Sequence, residues 1–258
     1  MLGAKPTGRR QCNEPDRRAL AMTEPLVLLP GMMCDARVFA PQIDAFSRER
    51  AVMVAPLGQG ERIEQIATWL LGQLPDRFAL AGLSMGGIVA MEILHRAPAR
   101  VTRLCLMDTD PLAEPPQVAA MREPWIVRAR AGRLDEVMRE AFRPSFLAPG
   151  PGRVEVMNLM QAMAMDLGPE MFVRQSRALQ RRGDQQGTLR RCKVPALVMC
   201  GEHDAMTTPK RHEFMAELIP GAGLEIVADA GHIPTLEQPA AVIEALRAWV
   251  DQEPGARE

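Results

Sequence analysis

The sequence predicts an α/β fold in which helices cover both faces of a mostly parallel sheet of about six to eight strands. Short apolar runs alternate with segments of helical periodicity in the first and last parts of the chain. This alternation is typical of strand–helix–strand units. Residues 110–190 contain helical patterns and no convincing strand. We therefore expect a helical cap inserted after the fourth visible strand.

Four strands are expected before the insertion, because four short apolar runs have the character of buried strands. The runs cover residues 26–29, 51–55, 78–83 and 101–107. Apolar residues recur at helical spacing over residues 61–74, and a further helix is expected over residues 88–95. Since ligands bind beyond the carboxyl ends of parallel strands, functional residues should lie in the loops just after these runs.

The same alternation returns after the insertion. Strands are expected over residues 196–200 and 224–227, and helices over residues 209–218 and 240–250. The chain has 258 residues, a length that suits one α/β core with an inserted subdomain. The proposed division is a disordered extension (1–22), a core (23–109 and 191–252), a helical cap (110–190) and a tail (253–258).

Composition excludes several classes of protein. The 31 basic and 32 acidic side chains give a formal net charge of -1, which attracts neither nucleic acid nor an anionic membrane. Aromatic residues are 4% of the chain, and Tyr is absent, so base stacking is poorly supported. No apolar run reaches the ~18 residues of a membrane helix. The five cysteines include no CxxC pair, which argues against disulfides and structural zinc. A cytoplasmic protein without cofactor or metal is expected.

A candidate nucleophile stands in the segment Gly82-Leu83-Ser84-Met85-Gly86, between a predicted strand and a predicted helix. A G-x-S-x-G turn at this place is so sharp that side chains two residues away from the serine would collide. Glycines at those positions remove the collision and leave the serine hydroxyl exposed above the sheet. We therefore predict Ser84 as a catalytic nucleophile.

A serine nucleophile needs a base, and the base needs an acid to orient it. Of the four histidines, His232 is favoured as the base, because it lies just after a predicted strand, on a Gly-containing loop before the last helix. Asp204 follows the strand that precedes the one leading to His232, and it is the favoured acid. Asp108, directly after the fourth strand, is the competitor, with Asp110 two residues behind it.

The developing oxyanion of an acyl-transfer reaction also needs hydrogen-bond donors. The Met85 amide, at the start of the helix after Ser84, is one candidate, and the helix dipole favours it. The loop after the first strand is the natural second source, because Gly31 lets its backbone turn inward. The Met32 amide is the candidate there, with Met33 behind it.

These segments resemble the α/β-hydrolase family over about residues 26–250. The resemblance lies in Leu-Leu-Pro-Gly, Gly-Leu-Ser-Met-Gly-Gly, Gly-Glu-His-Asp followed by Thr-Thr-Pro, and Ala-Gly-His-Ile-Pro, in that order. It implies the α/β-hydrolase fold and a Ser84, Asp204 and His232 triad. Pro30-Gly31 stands where the family usually has His-Gly. Few residues precede the first strand, so the sheet should have six strands rather than eight.

The insertion is rich in methionine, whose flexible side chain tolerates varied apolar partners. An apolar acyl pocket is therefore expected, with Met33, Met138 and Met160 as substrate-binding residues. An arginine run ends the insertion, and its first expectation is a solvated helix face. An arginine that holds a substrate carboxylate is the alternative. The run comprises Arg174, Arg177, Arg181, Arg182, Arg190 and Arg191.

Together these features predict a serine hydrolase that cleaves small, mainly apolar carboxylic esters through an acyl-enzyme. A carbon–carbon bond hydrolase, a perhydrolase or a haloperoxidase of the same fold are the alternatives among enzymes. A ligand receptor without catalytic activity is the alternative of another class. The expected partner is a small-molecule ester, and the sequence leaves the oligomeric state open.

Overall fold

A computed structural model describes residues 24–252, and six strands form one parallel sheet in this part of the chain. The strands lie in the order β2-β1-β3-β4-β5-β6 across the sheet. They are β1 (Leu26–Leu29), β2 (Val52–Val54), β3 (Phe78–Leu83), β4 (Val101–Met107), β5 (Ala196–Gly201) and β6 (Gly223–Val227). The predicted fold class is confirmed. The expected extension over residues 1–22 and tail over residues 253–258 lie outside the described residues.

The strands of the sheet centre are apolar throughout because both of their faces are buried. In β1, Leu26 and Leu28 pack into one apolar cluster, whereas Val27 and Leu29 pack into another on the opposite face. Successive side chains of a strand point to opposite faces, so a continuous apolar run serves two cores. This arrangement explains why these strands read as unbroken apolar runs in the sequence.

Helices cover both faces of this sheet. Those outside the insertion are α1 (Ala40–Phe46), α2 (Ile63–Leu71), α3 (Met85–Arg96), α8 (Pro209–Leu218), α9 (Pro234–Glu237) and α10 (Pro239–Val250). In α2, Ile63, Ile66 and Leu70 are buried on one face, as their spacing predicts. Proline stands in the first turn of α8 and α10, where its missing N–H is not needed.

Residues 110–190 contain helices and no strand. They are α4 (Pro116–Arg130), α5 (Leu134–Ala141), α6 (Arg153–Gln180) and α7 (Gln186–Arg190), with a short 3-10 helix at Pro144–Phe146. The backbone of α6 leaves the helical region at Gly168, with φ 78° and ψ 174°. Pro169 follows and cannot donate a helical hydrogen bond, so two helices meet at this kink.

The carboxyl ends of neighbouring strands meet at one edge of the sheet. The Ser84 amide donates to the Met107 carbonyl at 2.8 Å, and the Asp108 amide donates to the Met199 carbonyl at 3.0 Å. These bonds continue the ladder one residue beyond the strands and bring the following loops side by side. Among residues 24–252, no helix is both long enough and apolar enough to cross a bilayer.

Candidate active site

Ser84 occupies a strained turn between β3 and α3. Its φ of 51° and ψ of -115° lie outside the regions that ordinary residues favour. A side chain at Gly86 would overlap the Leu29 carbonyl, and one at Gly82 would overlap the backbone of Gly86. Both glycines are therefore required by close backbone approach, which is the physical reason for the G-x-S-x-G spacing.

The structure brings the three predicted triad side chains together. The Oγ of Ser84 lies 3.0 Å from Nε2 of His232, and Nδ1 of His232 lies 2.8 Å from Oδ2 of Asp204. His232 is 3% exposed and Asp204 is 2% exposed. Both distances are those of hydrogen bonds, so one continuous chain joins the carboxylate, the imidazole and the hydroxyl.

Asp204 is held in its charged form. Burial by itself would raise the pKa of Asp204, but the charge of His232 and hydrogen bonds from His232 and Thr207 lower it overall. The amides of Met206 and Thr207 donate to Oδ1 at 2.7 and 3.0 Å, and the Thr207 hydroxyl donates to Oδ2 at 2.6 Å. Because Asp204 can only accept, Nδ1 of His232 carries a proton and Nε2 is left as the acceptor for Ser84.

Asp108, the competing acid, does not take the position beside the imidazole Nδ1. It is fully buried, and its Oδ1 accepts the Gly201 amide at 2.9 Å. Burial and the charge of Asp204 raise the pKa of Asp108 well above its usual range. Its Oδ2 is buried without a hydrogen-bond partner among the described residues. Burial therefore disfavours the charged form of Asp108, whereas Asp204 is stabilised in its charged form.

The other three histidines lie away from the Ser84 hydroxyl. His95 is exposed in the last turn of α3, and His203 is exposed beside Glu202. His212 is buried in α8, where its Nε2 accepts the Thr109 amide at 3.0 Å. The Thr109 hydroxyl in turn donates to the Ser84 carbonyl at 2.7 Å. His212 and Thr109 support the nucleophile turn, a role that their sequence context did not indicate.

Met32 and Met85 are the residues predicted to supply the two oxyanion donors. Met32 and Met85 line the same cavity as Ser84. Among the described residues, no acceptor takes up either amide N–H. Met85 is the first residue of α3, so the positive end of the helix dipole lies at its amide.

Gln175 of α6 holds the loop that carries Met32. The buried Gln175 side chain accepts the Met33 amide at 2.8 Å through Oε1, and its Nε2 donates to the Leu57 carbonyl at 3.4 Å. Met33 has a φ of 56°, an uncommon value for a non-glycine residue. Its amide is therefore unavailable to a substrate. Gln175 is not among the residues predicted from the sequence.

The His232 loop is held by Glu237 and by the insertion. The carboxylate of Glu237 accepts the amides of Ala148, Gly231 and Ile233 at 2.7, 3.0 and 2.9 Å. The His232 amide donates to the Phe146 carbonyl at 2.7 Å. Ala148 and Phe146 belong to the insertion, so hydrogen bonds join the insertion to the His232 loop and to Glu237. Sequence reasoning did not identify Glu237.

A cavity of about 370 Å³ opens above Ser84, between the insertion and the sheet edge. Met138 and Met160 line it, as predicted for substrate-binding residues. The prediction for Met33 was wrong in position: its side chain is fully buried in the apolar core and does not line the cavity. The reason is the left-handed backbone at Met33, which turns this side chain into the core.

Apolar and charged residues share the walls of the cavity. Its apolar lining includes Met138, Phe142, Phe146, Met160 and Phe172. Its charged lining includes Asp110, Glu114, Arg122, Arg182 and Arg211. The charged wall differs from the apolar acyl pocket that the methionine content predicted. Of the predicted arginine run, Arg182 is the one that lines the cavity among the described residues. Arg177 pairs with Glu123 instead, and Arg181 pairs with Glu61.

Cys34 also lines the cavity, but its thiol is not a nucleophile. Burial, together with the neighbouring charge of Asp35, raises the pKa of Cys34 to about 12. The thiolate form, which would be the reactive one, is therefore scarce near neutral pH.

Two groups of described side chains have the spacing of metal ligands. One is Asp108, Asp204 and His232, and the other is the exposed set Glu202, His203 and Asp229. In the first group, the Asp204 carboxylate and His232 Nδ1 already satisfy each other. A cation there would have to replace the hydrogen bond that orients the imidazole.

A model of the alpha/beta hydrolase family matches residues 26–245, and the chain belongs to this family. The predicted family resemblance is thereby confirmed. The chain is 28% identical to the pimeloyl-[acyl-carrier protein] methyl ester esterase of Aromatoleum aromaticum, over 83% of this chain and 93% of the relative. It is 28% identical to 3-oxoadipate enol-lactonase 2 of Acinetobacter baylyi, over 72% of this chain and 70% of that one.

Solved structures agree with this assignment. A thermophilic esterase from Thermogutta terrifontis superposes with a TM-score of 0.81 at 27% identity, covering 89% of this chain and 90% of that one. The enol-lactonase from Burkholderia xenovorans LB400 superposes with a TM-score of 0.78 at 25% identity, covering 95% and 94%.

Proposed function

We propose that this chain is a serine-dependent hydrolase of small, mainly apolar carboxylic esters that works through an acyl-enzyme. The observation that carries the proposal is the hydrogen-bond chain from Asp204 through His232 to the Ser84 hydroxyl. The relatives named as esterases and enol-lactonases support the same class of reaction, because a lactone is a cyclic ester.

In the first half-reaction, Ser84 Oγ attacks the ester carbonyl carbon while His232 Nε2 takes its proton. The negative charge that develops on the carbonyl oxygen is stabilised by the amides of Met32 and Met85. As the tetrahedral intermediate collapses, His232 returns the proton to the leaving alkoxide, and the alcohol departs. The acyl group stays on Ser84 as an ester.

In the second half-reaction, water replaces the alcohol. His232 Nε2 takes a proton from the water as its oxygen attacks the acyl carbonyl, and the same amides stabilise the second oxyanion. The proton then returns to Ser84 Oγ, and the carboxylic acid is released. Throughout, the Asp204 carboxylate keeps Nδ1 protonated and stabilises the imidazolium that forms.

The helical insertion of residues 110–190 acts as a cap in this proposal, over a core of residues 23–109 and 191–252. The cap contributes Met138 and Met160 to the cavity wall. Their flexible side chains accommodate acyl groups of different shape.

The test is a panel of nitrophenyl esters of short and long acyl chains, measured with the parent and with Ser84→Ala. We expect turnover in the parent and a fall of kcat of about 10⁴-fold or more in the variant. Ser84→Cys, which keeps a nucleophile of similar size, and His95→Ala, at an exposed site outside the cavity, are the matched controls. Unchanged turnover in Ser84→Ala would refute the nucleophile. A folded parent without activity on any ester would refute ester hydrolysis and favour carbon–carbon cleavage or ligand binding.

A further inference from the structure

The charged wall of the cavity carries three arginines. Arg122, Arg182 and Arg211 line the cavity together with the two carboxylates that they pair with, Asp110 and Glu114. Asp108 also lines the cavity, but its Oδ1 accepts the Gly201 amide, and it forms no ion pair with these arginines among the described residues. Three guanidinium groups of this wall therefore share two carboxylates.

The two carboxylates are already shared among these arginines. Oε1 of Glu114 accepts a hydrogen bond from Arg122 Nε at 3.0 Å, and Oε2 of Glu114 lies 2.9 Å from Arg182 Nε. Asp110 pairs with Arg211, and its other arginine neighbour is Arg182 at 4.0 Å. Burial, with the nearby charges of Arg122 and Arg211, lowers the pKa of Arg182, although an arginine stays charged at neutral pH.

Arg122 has one nitrogen that no carboxylate satisfies. Its Nε donates to Glu114 and its Nη2 lies 3.0 Å from the same oxygen. Its Nη1 contacts the thioether sulfur of Met32 at 3.8 Å, and sulfur is a weak acceptor. The Arg122 side chain is only 16% exposed, and it lines the cavity. Arg182 Nε is also buried without an aligned acceptor in the described part of the chain.

The Nη1 atom of Arg122 lies close to the loop that carries Met32. Met32 carries the amide proposed to bind the oxyanion, and its own sulfur contacts Nη1. The length of a methionine side chain places Nη1 no more than about 9 Å from the Met32 amide. A group bound by Arg122 would thus be a few carbons away from the scissile carbonyl.

We propose that Arg122, supported by Arg182, binds a carboxylate of the substrate, so that the preferred esters are half-esters of short dicarboxylic acids. This inference rests on the proposed ester hydrolysis and specifies its substrate class. The planar guanidinium matches a carboxylate in shape and charge. The apolar part of the cavity receives the chain between the carboxylate and the ester.

The test compares monomethyl and dimethyl esters of succinic, glutaric and adipic acid. In the parent, we expect kcat/KM to be at least about tenfold higher for the best half-ester than for its diester. Arg122→Met should lower the ratio of these two kcat/KM values by about 10- to 100-fold, mainly through the KM of the half-ester. Arg122→Lys, which keeps the charge, should restore part of the preference.

The matched control is Arg181→Met, because Arg181 pairs with Glu61 outside the cavity. It should leave kcat/KM unchanged for both the half-ester and the diester.

Competition provides a measurement without any variant. Free glutarate or adipate should inhibit nitrophenyl ester hydrolysis by the parent, whereas the corresponding diols should not. Equal or better turnover of the diesters, or no inhibition by the diacids, would overturn the carboxylate site. Neutral nitrophenyl esters would still be hydrolysed in that case, so the proposed function would survive. Failure of the proposed function would instead show as loss of turnover on every ester.

Discussion

Replacing Gln175 with Met removes the acceptor that holds the loop after β1, while side-chain volume changes little. The Met33 amide, 2.8 Å from Gln175 Oε1, would then be buried without a partner. An unsatisfied buried amide costs about 1–3 kcal/mol, so the free energy of unfolding should fall by that amount. The weaker contact of Nε2 with Leu57, at 3.4 Å, adds little.

The same change should reduce the rate, because the Met33 amide directly follows the Met32 amide in the chain. Complete loss of one oxyanion donor lowers kcat by about 10²- to 10³-fold. Gln175→Met shifts the donor without deleting it, so we expect kcat to fall between about 10- and 10³-fold. KM should change much less, since the donor binds the transition state more strongly than the ester.

The assay is nitrophenyl ester hydrolysis at saturation, together with urea unfolding of each variant. Gln175→Glu keeps an acceptor oxygen and should retain most of the rate. Gln185→Met provides the control for stability, because Gln185 is a buried glutamine that bonds to Glu92 and does not line the cavity. It should lower stability without lowering kcat. The reasoning would be refuted if Gln175→Met lost stability but kept kcat within about twofold of the parent.

Two further predictions concern the histidine loop. Asp204→Asn removes the carboxylate that keeps Nδ1 of His232 protonated, so kcat should fall by about 10⁴-fold in the nitrophenyl assay. A loss below tenfold that deepens to about 10⁴-fold when Asp108→Asn is added would instead show that Asp108 takes over as the acid. Three backbone N–H groups donate hydrogen bonds to the Glu237 carboxylate. In Glu237→Gln, one carboxylate oxygen becomes an NH₂ donor, so at least one of these N–H groups would face a donor instead of an acceptor. Unfolding free energy should fall by about 1–3 kcal/mol, and kcat with it, and an unchanged melting curve would contradict this role.

The position of Ser84 was predictable from the sequence because one local geometry requires its whole neighbourhood. Gly82 and Gly86 are needed by close backbone approach, and the apolar run of β3 and the helix after Met85 are visible as periodic patterns. The place of His232 was predictable for a similar reason. Its loop follows the last strand and precedes the closing helices, and the loops after parallel strands meet at one edge of the sheet.

The choice between Asp204 and Asp108 depended on the packed structure. Both follow a strand and precede His232 in the chain, so chain order permits either. In three dimensions, the Asp108 carboxyl is directed to the Gly201 amide, whereas the Asp204 carboxyl contacts Nδ1 of His232. The misplaced expectation for Met33 has the same origin, since only its left-handed backbone shows that the side chain enters the core.

The sequence by itself determined the strand–helix order, the helical insertion, the strained turn at Ser84 and the position of His232 in the loop after the last strand. These features depend on the identity and spacing of residues that are near one another in the chain. Tertiary structure decided which acid orients His232, that Gln175 holds the Met33 amide, and that Arg122 faces the cavity beside Met32. Each of these contacts joins segments far apart in the chain. Local periodicity specifies which face of an element is buried, but only packing specifies what that face meets.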